Sequence, residues 1–309
     1  MILKRLINPK PIIVIFFILF GVIFFSIPLL KHSIKIFNYS TVPYYVVFGS
    51  GLFITLIHAL GLNNLITQQN IIKKDNLILA FVYVFLSTPF YNSIKGLIIS
   101  FMLLFCVNYL FKSYKKENPF SEIFNSSLIF SILFFFDSNI IFLSLLIILF
   151  GFNYGNGNIR TLFTSIIAFT IVCVFYFMYC TFTSHSFYFP EFPNINVINL
   201  KTIYQISKTT LAWVILVILI SCFSFIELYS WLYKKSIKSR KSFIIILLYF
   251  LITIILTLFI NINNYYYLTT PLSIVMANYF IYTKNRFFAE LLFLLLITCS
   301  IMYKYISLI

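Results

Sequence analysis

Few side chains in this sequence can do acid–base chemistry. The chain carries seven carboxylates, Asp75, Glu117, Glu122, Asp137, Glu191, Glu227 and Glu290, and three histidines, His32, His58 and His185. A carboxylate beside a histidine or lysine can take a proton from a hydroxyl, the step that general-base transfer needs. Asp137, Glu191 and His185 form one such candidate set on the expected outer side, where Lys95, Lys201 and Lys208 are the nearest cations. Each alone also reads as an ordinary exposed polar residue. Asp137 is the most informative, because it closes the tight connection Phe136-Asp137-Ser138-Asn139. There it can equally cap the helix that starts at Ile140.

A second set, His58, Glu227 and Glu290, lies inside apolar blocks. Ionisable groups within a membrane are functional candidates by default. Glu290 follows Arg286 by four residues, the spacing of a helix-surface ion pair, so a structural reading leads for it, and for Glu227 as well. For His58 a hydrogen-bonded helix residue comes ahead of a proton relay. Asp75, Glu117 and Glu122 stand beside lysines and read as solvated charge. Cys106, Cys173, Cys180, Cys222 and Cys299 all fall in apolar segments without a CxxC or a nearby histidine, so they read as small buried hydrophobes. No P-loop, dinucleotide fingerprint, HExxH or nucleophile elbow is present, and no metal or cofactor is expected.

The elements that must position these groups are membrane helices. Of 309 residues, 61% are hydrophobic and 9% charged, against about a quarter charged in soluble domains. Apolar blocks approach the roughly 20 residues of a spanning helix, and the alternation of an outer-membrane barrel is missing. The expectation is an all-α transmembrane bundle in one domain over residues 1–309. Eleven candidate helices are Pro11–Leu30, Tyr45–Leu62, Leu77–Phe90, Leu97–Phe111, Ser121–Phe136, Ile140–Phe152, Thr161–Phe182, Leu211–Leu232, Phe243–Ile260, Tyr265–Tyr282 and Phe287–Tyr303. Leu77–Phe90 and Ile140–Phe152 are short and read as thin, tilted or re-entrant, which makes nine spans the alternative. The first helix reads as uncleaved, because Phe25-Ser26-Ile27 is no small-x-small cleavage site.

Alternating these segments from a cytoplasmic N-terminus puts sixteen of the 22 cations inside and six (Lys31, Lys35, Lys95, Lys201, Lys208, Lys304) outside. The positive-inside rule therefore selects N-in and C-out. The densest basic run, Lys234, Lys235, Lys238, Arg240 and Lys241, fits an anchor against anionic lipid; no fold for binding nucleic acid accompanies it. Trp213 with Trp231, and Tyr44, Tyr45, Tyr265, Tyr266 and Tyr267, sit where interfacial aromatic belts are expected. The longest outward loop, residues 183–209, has room for a surface helix over Ile198–Ile206. The helix Tyr265–Tyr282, with Thr269, Thr270, Pro271, Ser273 and Asn278, is the nearest approach to a broken transporter helix.

Three stretches resemble a family of uncharacterised Bacteroidota inner-membrane proteins, classed as a domain of unknown function. They are Asn8-Pro9-Lys10-Pro11-Ile12-Ile13, Leu62-Asn63-Asn64-Leu65 through Lys74-Asp75-Asn76, and Phe152-Asn153 through Ile159-Arg160-Thr161-Leu162. The resemblance implies a bacterial inner membrane and no activity. More loosely, the layout resembles the glycosyltransferases of the GT-C type that use polyprenyl-phosphate sugars. Those carry an acidic residue in the first outer loop, and Lys31–Tyr44 has none; Asp137 and Glu191 would have to replace it. Three functions follow in order: an envelope membrane subunit working with a protein partner, an outward-facing transferase on a polyprenyl-phosphate lipid, and a transporter.

Overall fold

In lipid the backbone can satisfy its polar groups only internally, and the chain meets that demand with helices. The computed structural model describes residues 2–31, 44–90, 93–184, 186–191, 208–259 and 265–306. Twelve α-helices occur among the described residues: α1 (Ile2–Leu6), α2 (Pro11–Lys31), α3 (Tyr44–Gln68), α4 (Ile78–Leu86), α5 (Ile94–Lys112), α6 (Phe120–Phe136), α7 (Leu145–Tyr154), α8 (Ile159–Phe182), α9 (Lys208–Leu232), α10 (Ile237–Phe259), α11 (Tyr266–Tyr282) and α12 (Arg286–Ile306). Two 3-10 segments, Thr88–Phe90 and Ser138–Ser144, complete the helical structure there. Each of the eleven expected segments overlaps one of α2 to α12. Six stretches are long and apolar enough to cross a membrane: Phe48–Gln68, Ile94–Lys112, Ile159–Phe182, Lys208–Ser230, Ile237–Leu258 and Arg286–Tyr305.

The basic connections meet at one end of the bundle. The backbone N–H of Asn8 donates to Asp75 O at 2.8 Å, and that of Leu77 to Leu6 O at 2.9 Å. Ser239 Oγ donates to Ile71 O at 2.9 Å, and Asn156 Nδ2 to Ser113 O at 2.7 Å. Asn153 Nδ2 donates to Lys241 O at 2.8 Å, while Lys235 Nζ reaches the Tyr282 hydroxyl at 3.1 Å. Loops far apart in sequence are thus stitched together where most of the positive charge lies.

The two short segments have different solutions. Ser138–Tyr154 continues from 3-10 into α-helix, and its rises sum to roughly 29 Å, close to the hydrocarbon thickness. It ends at Gly155 in the left-handed conformation, φ 78°, where glycine has no Cβ penalty. By contrast α4 has nine residues, all buried, and rises only about 14 Å. Surrounded by protein, α4 has no lipid thickness to match.

The core is built around α11. Every residue from Tyr266 to Ile281 except Leu268 is buried, and the helix packs against α4, α5, α9, α10 and α12. At the other extreme is α8, which buries only Thr161, Ala168 and Cys180 and packs mainly on α6.

Four expectations are corrected. Trp213 is not a lipid-facing belt residue: it is 2% exposed, and its Nε1 donates to Ser300 Oγ at 3.1 Å. Tyr266 and Tyr267 likewise point into the core, at 6% and 0% exposure, because α11 has no lipid-facing side. Glu122 is not solvated; it is buried and paired with Lys116. Lys304 is enclosed, with Nζ 4.0 Å from the Phe24 ring centroid and 3.3 Å from Phe24 O. The side chains of Tyr44, Tyr45 and Trp231, and the proposed surface helix Ile198–Ile206, lie outside the described residues.

Candidate functional site

Ten residues before the end of α3, about 15 Å along its axis, His58 is fully buried. Its ring stacks on Tyr83 of α4 with centroids 4.1 Å apart and planes at 24°. The Tyr83 hydroxyl lies 2.9 Å from His58 Nδ1 and 3.3 Å from Ser100 Oγ of α5. Thr269 of α11 approaches the same hydroxyl, and its neighbour Thr270 lies by Tyr249 of α10. Five helices therefore contribute polar side chains to one place at mid-depth.

The central helix runs unbroken through a proline. Pro271 has no N–H to give the carbonyl of Tyr267. Hydroxyls take over part of the carbonyl bonding nearby: Thr269 Oγ1 donates to Tyr266 O at 2.9 Å, and Ser273 Oγ to Thr270 O at 2.8 Å. Ser224 Oγ of α9 donates to Val275 O, fixing the helix laterally. His58 Nε2 and both amide atoms of Asn278 are buried without a hydrogen-bond partner. An unsatisfied buried polar group costs about 1–3 kcal/mol.

Asp137 sits at the opposite end from the basic loops, one α6 length of roughly 26 Å away. Its Oδ1 accepts from the backbone N–H and the Nδ2 of Asn139, at 3.1 and 2.9 Å, so it caps the 3-10 segment as the tight connection suggested. Its other oxygen accepts from the Tyr266 hydroxyl, a tie to α11 that sequence spacing did not reveal. Gly96 makes room for that tie: a Cβ there would come within 2.9 Å of Tyr266 Cδ1.

The stretch after α8 folds back over the same end. Phe189 packs on Phe134 at 5.7 Å between centroids, and Phe187 on Tyr176 at 5.4 Å. Glu191, two residues on, is exposed. This brings Glu191 and Asp137 to one end of the bundle; His185 lies outside the described residues. Beside them opens a crevice of about 460 Å³ between α6, Ser138–Tyr154 and α8, with Ser127, Ser131, Ser144 and Ser165 among apolar walls.

The remaining candidates are dispersed. Glu227 is half-buried on α9. Glu290 accepts from the backbone N–H of Ile2, a tie between α12 and the N-terminal helix rather than the Arg286 pair alone. Among the described residues no group of three histidines, cysteines or acids is placed to hold a metal, and the five cysteines are free thiols.

Tyr83, Ser100 and Tyr249 were not singled out by sequence. Their signal is a hydroxyl within an apolar block, which occurs many times here and marks a site only when several converge. No curated protein matches the chain, and no solved structure matches it. A family model described as a family of unknown function (DUF6427) matches residues 1–309, and the chain belongs to that family.

Proposed function

We propose that the chain is a multi-pass protein of a bacterial inner membrane, N-in and C-out, that moves a proton or a proton-carrying polar solute through its core. The observation that carries this reading is the convergence of His58, Tyr83, Ser100 and Tyr249 on the buried, proline-containing helix α11. Secondary transporters bind their cargo at polar sites near the bilayer midplane, and α11 with its neighbours gathers such a set of side chains. The basic end faces the cytoplasm in this reading. The test uses the purified chain in liposomes with a trapped pH dye and an imposed potential. Proton flux above protein-free liposomes, lost in His58→Ala while the variant remains folded, is the expected result. Flux that is absent, or equal in the variant, contradicts it.

A second reading, a transferase on a polyprenyl-phosphate lipid at the outer face, is favoured by one observation. The serine-bearing crevice reaches Phe134 and Ile140, the residues flanking the Asp137 connection, so a lipid chain held there would put its head near Asp137 and Glu191. A polyprenyl-phosphate lipid retained through gentle extraction and seen by native mass spectrometry supports this reading; its absence from the extracted protein counts against it. A stoichiometric protein partner in the same spectrum would instead make the chain a membrane subunit.

A further inference from the structure

We propose that the basic end binds one anionic phospholipid, its head between Lys4, Lys74 and Arg286 and one chain along the adjoining face of α12. The head site is a cavity of about 470 Å³ enclosed by α1, the segment before α4 and the start of α12. Three cations line it against one carboxylate, Glu290, and that carboxylate already accepts from the Ile2 backbone N–H. The lining therefore carries excess positive charge of the kind that an anionic headgroup neutralises.

The walls are held in place before any ligand arrives. Leu3 and Leu6 anchor α1, at 2% and 4% exposure. The Asn8 and Leu77 backbone bonds pin the following segment to the loop that carries Lys74, and Asn8 takes the left-handed conformation, φ 53°, to make that turn. A second lysine crowds the first: Lys74 and Lys235 stand 5.2 and 4.2 Å from the Tyr282 ring centroid. Burial, and then the charges of Lys73 and Lys74, hold the Lys235 ammonium below its ordinary pKa. A nearby anion relieves that repulsion.

The second half of the argument is apolar. A groove of about 390 Å³ shares Glu290 with the head site and runs on past Leu291, Leu294, Leu295 and Thr298. Those positions recur at helical spacing on one face of α12. From Phe287 to Thr298 the axial length is roughly 17 Å, about half of a hydrocarbon core, which is the depth of one leaflet. A free phosphate has no use for such a groove; a phospholipid fills both parts. The inference does not depend on the transport reading, since it concerns a different end of the molecule.

Native mass spectrometry on the full chain, extracted in detergent and supplied with phosphatidylglycerol or phosphatidylcholine, reads the site directly. One phosphatidylglycerol is expected to persist at collision energies that strip phosphatidylcholine. Lys4→Gln, on the exposed face of α1, and Lys74→Gln should each weaken it about fivefold, the worth of one cation near an anionic surface. Leu294→Trp should displace the lipid with every cation intact, whereas Lys234→Gln with Lys241→Gln should not. Equal retention of the two lipids overturns the proposal. So does an effect of the Lys234/Lys241 pair as large as that of Lys74, because it would mean diffuse attraction. Displacement by soluble glycerol phosphate would make this a free-phosphate site and overturns the lipid assignment. Thermal unfolding of each variant without lipid separates lost binding from lost fold.

Discussion

Asp137→Ala separates a structural carboxylate from a chemical one. The alanine removes the cap on Ser138–Ser144, where loss of an Asp cap costs about 0.5–2 kcal/mol. It also removes the carboxylate acceptor of the buried Tyr266 hydroxyl, and a bond to a charged acceptor is worth about 1.5–3 kcal/mol. The two losses share one carboxylate and need not add fully, so a total of about 2–4 kcal/mol is expected. Asp137→Asn keeps the acceptor for Asn139 and offers Tyr266 an amide, so its cost should be about 1 kcal/mol. The assay is equilibrium unfolding of purified protein in mixed micelles, with membrane protein levels measured alongside. The expected order of stability is wild type, then Asp137→Asn, then Asp137→Ala, with levels falling in the same order. An alanine variant that is as stable and abundant as wild type, yet inactive, would refute the structural account and move Asp137 into the transferase reading.

Other perturbations test other joints. Gly96→Ala should force the Tyr266 ring away from α5, since the new Cβ would meet it at 2.9 Å. The loss should be about 1–3 kcal/mol, as for other overpacked cores, and should shrink when Tyr266→Phe has already cut the tie to Asp137. Tyr83→Phe leaves His58 Nδ1 and Ser100 Oγ without their shared partner. A double-mutant cycle of Tyr83→Phe with His58→Phe should give a coupling of roughly 0.6–1.7 kcal/mol, the range for hydrogen bonds between membrane helices; no coupling would mean the pair does not form. Trp213→Phe removes the bond to Ser300 and should cost about 1 kcal/mol, while a belt tryptophan facing lipid would lose little in micelles.

Much of the architecture was legible because membrane helices are announced by composition over long windows. Each of the eleven candidate segments overlaps a helix, and basic connections distant in sequence are hydrogen-bonded to other loops. What sequence could not show was which helix is central. Tyr265–Tyr282 reads in sequence as the nearest approach to a broken transporter helix, with tyrosines placed at an interfacial belt. Its burial on all sides is a property of five neighbours, none of which is encoded locally. The same holds for Tyr83: nothing in Leu77–Phe90 distinguishes its hydroxyl from other tyrosines until His58, 25 residues away, meets it. At the end away from the basic loops, the cap by Asp137 was readable from a four-residue connection. Its bond to Tyr266, across 129 positions, was not.

The central claim is that the polar core around α11 is a working site that water or a polar solute reaches, and side-chain accessibility tests it most directly. Ser273, fully buried and one turn from Thr269 and Thr270, is replaced by cysteine in a background without the five native thiols. Membranes are then treated with a small charged methanethiosulfonate reagent, with Ala289→Cys, buried against apolar neighbours on α12, as the control. The account predicts that the cysteine at 273 is modified while the one at 289 is not. Equal protection of both positions would contradict it: the polar core would then be a closed fastening between helices, and the function would have to be sought at the two ends of the bundle.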